Sequence, residues 1–279
     1  MRIRPHRRTR ITIVTLAAVF SIGWSGSTTN WVAWNAVGFF PPDLKRQVRL
    51  HEKRFETGIR RGLSAPPAWR AATPGKLEAA LEGQVHHTVA ALRKPVPMAD
   101  LVEELGVLSV RVLDANDPLA VTHEDSLEPT YAGAYQAYVD SVRDRLRLVY
   151  YGQDRQLIDG GRVKASVATI LDRSRSLYPF LGAEFYRTGS LRTWRELDDR
   201  SVAYGVAGVA LSRGLTDLAN FAAYVWNSGG GFVPPPIPTP AGHVGATVTR
   251  TLDGGFPERE ATVGGSPIMP ESKLILPPP

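Results

Sequence analysis

The stretch from Leu105 to Asp125 reads LGVLSVRVLDANDPLAVTHED. Leu105, Leu108 and Val112, continued upstream to Leu101, recur at helical spacing and make one apolar stripe. Val107, Val110 and Asp114 make a second face opposite to it. A helix that is apolar on two faces is buried on both sides. The segment from about Met98 to Ala115 therefore predicts the interior of a helical body, ended by the polar box DAND (Asp114 to Asp117) and Pro118.

The flanking sequence supplies helices to surround it. Pro41-Pro42-Asp43 opens one with the stripe Leu44, Val48, His51, Phe55 and Ile59, closed by Gly62 and Pro66-Pro67. Another runs from near Gly75 to Lys94-Pro95, with Leu77, Leu81, Val85, Val89 and Leu92 inward. Glu128-Pro129-Thr130 starts a helix lined by Tyr131, Tyr135, Tyr138, Val142, Leu146 and Val149. After Gly160-Gly161 comes one bearing Val163, Val167, Ile170, Leu177, Leu181 and Phe185. Beyond Gly189, a long helix from about Thr193 or Ser201 to Trp226 turns Val202, Val206, Val209, Leu218 and Val225 inward. No segment sustains a two-residue alternation. The fold class expected is all-α, a single multi-helix domain of six or so helices.

Both ends differ from this body. MRIRPHRRTR, then ITIVTLAAVFSIG, then WSGSTTN have the charge, apolar run and small residues of a signal peptide. The apolar run is short for a membrane span. The expectation is a cut after Ser27, a mature start near Thr28, no span after cleavage and a periplasmic or extracellular location; a retained anchor is the alternative. From Ser228 onward, SGGGFVPPPIPTPAGHVG is too rich in glycine and proline to continue a helix or bury a core. The division expected is 1–27 signal peptide, 28–227 helical domain and 228–279 extended tail, the tail making local contacts through Phe232, Phe256 and Leu274 to Leu276.

The net charge of +6 comes largely from Arg2, Arg4, Arg7, Arg8 and Arg10, so no nucleic-acid partner is expected. The chain has no cysteine, which excludes disulfides, thiolate zinc sites and cysteine nucleophiles. Of six histidines, His6 lies in the leader and His243 in the tail. His86 and His87 are adjacent on a helix, about 100° apart, and cannot share a metal. His51 lies on an apolar face, and His123 sits in the acidic loop THED. No paired-histidine motif, nucleophile elbow or phosphate-binding loop is present.

Three short motifs in order resemble the zinc-dependent phospholipase C and single-strand-specific nuclease superfamily. WNAVGF keeps Trp34 and Gly38 of a W-x-x-x-G-H pattern, with Phe39 at the histidine position. VRVLDANDPLA keeps Asp114, Asn116 and Pro118 of H-x-x-x-D-x-N-x-P-x-H, with Val110 and Ala120 at the histidines. AGAYQAYVDS sets Ala132 and Gln136 where the pattern H-x-x-x-E has its ligands. The resemblance spans roughly residues 30 to 152 and implies a secreted helical fold built around a three-zinc cleft that hydrolyses phosphodiesters.

Each zinc needs about three lone-pair donors, and valine, alanine and phenylalanine have none. The expectation is therefore a pseudoenzyme: no cofactor, with a binding or structural role in an envelope or extracellular assembly and a protein partner held through the C-terminal tail. The alternative is an active metal-dependent phosphodiester hydrolase with zinc on His51, His123, Asp114, Asp125 and Glu128. A carboxylate stranded in the old cleft needs a counter-charge. Arg213, seven residues after Val206 on the last helix, is the candidate partner for Asp114, with a local Arg213–Asp217 pair as the competing arrangement.

Overall fold

The computed structural model describes residues 23–65, 74–122, 128–186, 196–235 and 246–248. In chain order it gives α1 (Gly26–Val37), α2 (Pro42–Leu50), α3 (Glu52–Leu63), α4 (Pro74–Leu92), α5 (Met98–Ala115) and α6 (Glu128–Val142). A short 3-10 turn (Arg143–Arg145) leads to β1 (Leu148–Tyr150), then α7 (Arg155–Ile158), α8 (Val163–Arg175), α9 (Tyr178–Tyr186), α10 (Val202–Ser228) and β2 (Ala246–Val248). The fold is all-α, and the one strand pair among the described residues is a three-residue antiparallel ladder with Leu148 opposite Val248.

Helix α5 runs through the middle, against α1, α2, α3, α4, α8 and α10. Both its faces are buried: Leu101, Leu105, Leu108 and Val112 are at most 1% exposed, and Val107, Val110 and Asp114 at most 5%. Its closest neighbour is α3, because two glycines meet at the crossing. A Cβ on Gly58 would stand 1.9 Å from the Glu103 carbonyl oxygen, and one on Gly106 would stand 2.3 Å from that of Phe55. Only glycine admits this approach.

The structure corrects several sequence expectations. The helix expected from Pro42 onward is two: His51, at φ −119° and ψ 34°, separates α2 from α3. Hydrogen bonds from His51 N to Gln47 O and from Phe55 N to His51 O bridge the break, so Leu44, Val48, Phe55 and Ile59 remain buried. The segment from Val163 to Phe185 also divides, at Ser176-Leu177. Pro179 has no N–H to give to the carbonyl four residues back, so α8 cannot continue. Leu146 and Val149 do not extend the tyrosine-lined helix; α6 stops at Val142, and Val149 sits in a strand. Val202 is not inward but 37% exposed; α10 turns Ala203 and Val206 to the core instead. Phe232 makes no burying contact, being 69% exposed, while Phe256 and Leu274 to Leu276 lie outside the described residues.

The folded body begins before the expected boundary at residue 27. Trp24 is 1% exposed, packs on Tyr135 with ring centroids 5.8 Å apart, and donates from Nε1 to the Leu113 carbonyl at 3.0 Å. Ser25 caps α1 by accepting from Thr28 N. The hydroxyls of Ser25, Ser27 and Thr28 all donate to Asp140 Oδ1, at 2.5, 2.9 and 2.7 Å. Gln136 Nε2 donates to the carbonyl of Gly23.

Strand β1 has two neighbours of different kinds. On one edge is β2; on the other is a row of polar side chains from α10. Val149 N donates to Ser212 Oγ at 3.1 Å, Tyr151 N to Thr216 Oγ1 at 3.0 Å, and Asp154 N to Asn220 Oδ1 at 3.0 Å. Asn220 Nδ2 returns a bond to the Gly152 carbonyl at 3.2 Å. Spaced four apart, these residues share one helix face, and they satisfy backbone groups that otherwise need a third strand.

Candidate functional site

The DAND box is the natural starting point. Asp117 Oδ1 accepts from Leu119 N at 2.9 Å, which turns the chain after α5, with Pro118 buried inside the turn. Asn116 Nδ2 donates back to the Val112 carbonyl at 3.0 Å and across to Asp217 Oδ2 at 3.1 Å. Arg173 Nη2 on α8 donates to both oxygens of Asp217, at 3.0 and 2.8 Å. Ser174 Oγ adds a bond to the Ala115 carbonyl at 2.8 Å. The end of α5, the middle of α10 and the end of α8 are thus joined through one buried carboxylate. Burial pushes the Asp217 pKa up, against the opposing pull of Arg173, Asn116 and, more weakly, Arg213.

The ion pair found beside the DAND box is Arg173 with Asp217; Arg213, the expected partner of Asp114, contributes its field to Asp217. Asp114, 3% exposed, lies in the field of Arg111, one turn before it on α5. Burial lowers the Arg111 pKa, and the charges of Asp114 and Glu104 partly restore it. Tyr135 is fully enclosed, and burial together with the nearby Asp117 charge holds its phenol well above the usual range.

The remaining positions of the family pattern are hydrophobic packing or backbone support. Val110 is fully buried at the α3–α5 crossing, beside Gly62, whose added Cβ would meet Val110 Cγ2 at 2.7 Å. Ala120 and Ala132 are 4% and 5% exposed. Trp34 meets Phe55 edge-on at 5.2 Å, and Phe39 stacks on Tyr150 at 4.4 Å. Gln136 supports the backbone at Gly23. These side chains include no set of zinc donors: aliphatic groups stand where lone pairs would be needed. Of the alternative set, His123, Asp125 and the side chain of Glu128 lie outside the described residues, while His51 links α2 to α3 and Asp114 faces Arg111. No three histidine, aspartate or glutamate side chains among the described residues are grouped to hold a metal.

A second place on α5 was not foreseen. A cavity of about 520 Å³ lies between α3, α4 and α5, lined by Arg61, Gln84, His87, Glu104, Val107 and Arg111 among others. Its polar groups converge on Glu104. Arg61 Nη2 reaches Oε1 at 2.5 Å, Gln84 Nε2 donates to Oε2 at 3.0 Å, and His87 Nε2 lies 3.6 Å from Oε2. Arg61 Nη1 also holds Glu103 at 2.6 Å, which in turn pairs with Arg54 at 3.0 Å. The sequence held a signal for this: Glu104 and Arg111 are seven apart, two turns of one helix.

The chain matches no known family model and no curated protein.

Proposed function

We propose that this protein is an exported, non-catalytic helical protein of phospholipase C and nuclease ancestry that works by binding. One observation carries the reading: Val110, Ala120 and Ala132, which stand where that superfamily has histidines, are all at most 5% exposed within the apolar core. Restoring a metal there would need three new donors and would create buried polar groups without partners. Of the polar residues the motif keeps, Asn116 serves packing by bridging to Asp217, and its neighbour Asp117 turns the chain.

Export is supported by the arginine-rich start and apolar run ahead of Trp24. A partner taken by the C-terminal segment is supported by its glycine- and proline-rich composition, since extended segments can lie along a partner. The described helices include none long and apolar enough to cross a membrane.

The test is elemental analysis of the purified protein, combined with hydrolysis of bis(p-nitrophenyl) phosphate before and after dialysis against excess zinc. The expected result is less than one bound zinc per chain and no hydrolysis above buffer. Two or three tightly held zinc ions with hydrolytic activity would replace this reading with the active hydrolase.

A further inference from the structure

We infer that the outer edge of β1 is a docking edge with two alternative occupants from this chain: β2, and a second Ala-Thr-Val segment at Ala261 to Val263, which lies outside the described residues. The edge follows from the backbone of β1. Successive residues of a strand turn their N–H and C=O groups to opposite sides. Val149 N and Tyr151 N donate to Ser212 and Thr216 on α10, so the backbone groups of Leu148 and Tyr150 turn the other way, toward β2. Leu148 is buried and Tyr150 partly so. Backbone groups in such a place need a partner whenever β2 is absent.

The ladder makes few demands on its occupant. It pairs Ala246 with Tyr150, Thr247 with Val149 and Val248 with Leu148. An occupant must supply backbone N–H groups, which excludes proline, and must favour extended structure, as threonine and valine do. Ala-Thr-Val occurs twice in the chain, both times in this tail. Laid on β1 in the same register, the second copy sets the same residue types opposite Leu148, Val149 and Tyr150. Reach separates the two only slightly. The linker from the end of α10 is 229–245 for the first copy and 229–260 for the second. That near-doubling favours β2 by roughly 2–3-fold through loop-closure entropy. The occupant sets how much tail is left beyond the ladder: 249–279 with the first copy seated, 264–279 with the second. The exchange stands whether or not the ancestry reading or a tail-bound partner holds.

Disulfide trapping in the full-length protein tests this, because the chain has no cysteine of its own. Val149→Cys is combined in turn with Thr247→Cys, Thr262→Cys or Thr251→Cys, and each pair is equilibrated in a glutathione buffer. Val149 and Thr247 form a non-hydrogen-bonded pair, the closer kind, within the span of a disulfide. The Thr247 and Thr262 pairs should both close, with effective concentrations within about 2–3-fold of each other. The Thr251 pair, on a linker of intermediate length, should fall well below both. A Thr262 pair no better than the Thr251 pair overturns the inference, and a Thr247 pair no better overturns the edge itself. Hydrogen exchange at the Leu148 and Tyr150 amides gives a second reading without cysteines. Ala246→Pro should quicken it only about 3–4-fold, since the second copy takes over. Adding Ala261→Pro should quicken it further, while the Val149 and Tyr151 amides, held by α10, change in neither variant. Exchange as fast in the single variant as in the double, or no acceleration in the double, also overturns the inference.

Discussion

Replacing Gly106 with alanine tests the α3–α5 crossing directly. The new methyl would stand 2.3 Å from the Phe55 carbonyl oxygen and 2.9 Å from Gly58 Cα and Ile59 N. All three neighbours are backbone atoms, so no side-chain rotation relieves the overlap. The two helices must part by about 1 Å to restore ordinary contact distances of about 3.5 Å. At that gap each atom pair loses roughly a quarter to a half of a well about 0.1–0.2 kcal/mol deep. Phe55 and Ile59, both buried at the crossing, together make on the order of 100 such contacts if each resembles a buried leucine. The loss is then about 5 kcal/mol before relaxation, offset by about 1 kcal/mol of helix propensity gained on replacing glycine. The expected net destabilisation is about 3–4 kcal/mol, read as a lowered urea midpoint at unchanged slope. Gly83→Ala is the internal control: nothing lies within 4 Å of its added Cβ on α4, so only the propensity gain of about 1 kcal/mol remains. A Gly106→Ala protein as stable as the parent would refute the crossing geometry.

Any export cleavage should fall before Trp24, and N-terminal sequencing of the exported protein should not begin at Thr28; Trp24→Ala should cost about 3–5 kcal/mol in urea unfolding, as for a large buried aromatic. Asn220→Ala removes the partners of Asp154 N and the Gly152 carbonyl, so a loss of about 1–3 kcal/mol is expected; hydrogen exchange should quicken at Asp154 while the α5 amides stay protected. Burial raises the Tyr150 pKa to about 12. Between pH 10 and about 12 the folded protein then holds a proton that the unfolded chain releases, so stability falls as pH rises through that window. Tyr150→Phe should flatten that part of the stability curve, and an unchanged slope would remove the assignment.

The helices whose stripes run uninterrupted, α4 and α5, were legible because burial alone sets their period. What escaped was set by contacts distant in sequence. No glycine or proline marks His51, so the break between α2 and α3 leaves no local signal. Leu148-Val149-Tyr150 is too short to display a two-residue period, and it is a strand because Ser212, Thr216 and β2 lie beside it. Those α10 residues were readable as a polar row at spacing four, but not as a support for backbone. At the site, the sequence marks the buried carboxylates, but the guanidinium near each is set by tertiary packing that sequence spacing does not display. Asp217 takes Arg173 from α8, and Asp114 has Arg111 beside it on its own helix. At the leader boundary, Ser25 and Ser27 suit a cleavage site by size, and the same hydroxyls serve Asp140 in the fold.

The contact between α10 and β1 works like a vernier. Four residues of helix advance about 6.0 Å, and two residues of strand advance about 6.6 Å. Ser212 and Thr216 can therefore meet Val149 and Tyr151 in step, yet each further rung drifts by about 0.6 Å. At the third rung the strand has ended: Gly152 adopts φ +104°, the chain bends, and Asn220 meets Asp154, three residues on. A straight helix can therefore keep step with a strand for only a few rungs before the chain must bend away. Lengthening this strand pair would take a curved helix or a new strand, not merely more polar residues at spacing four.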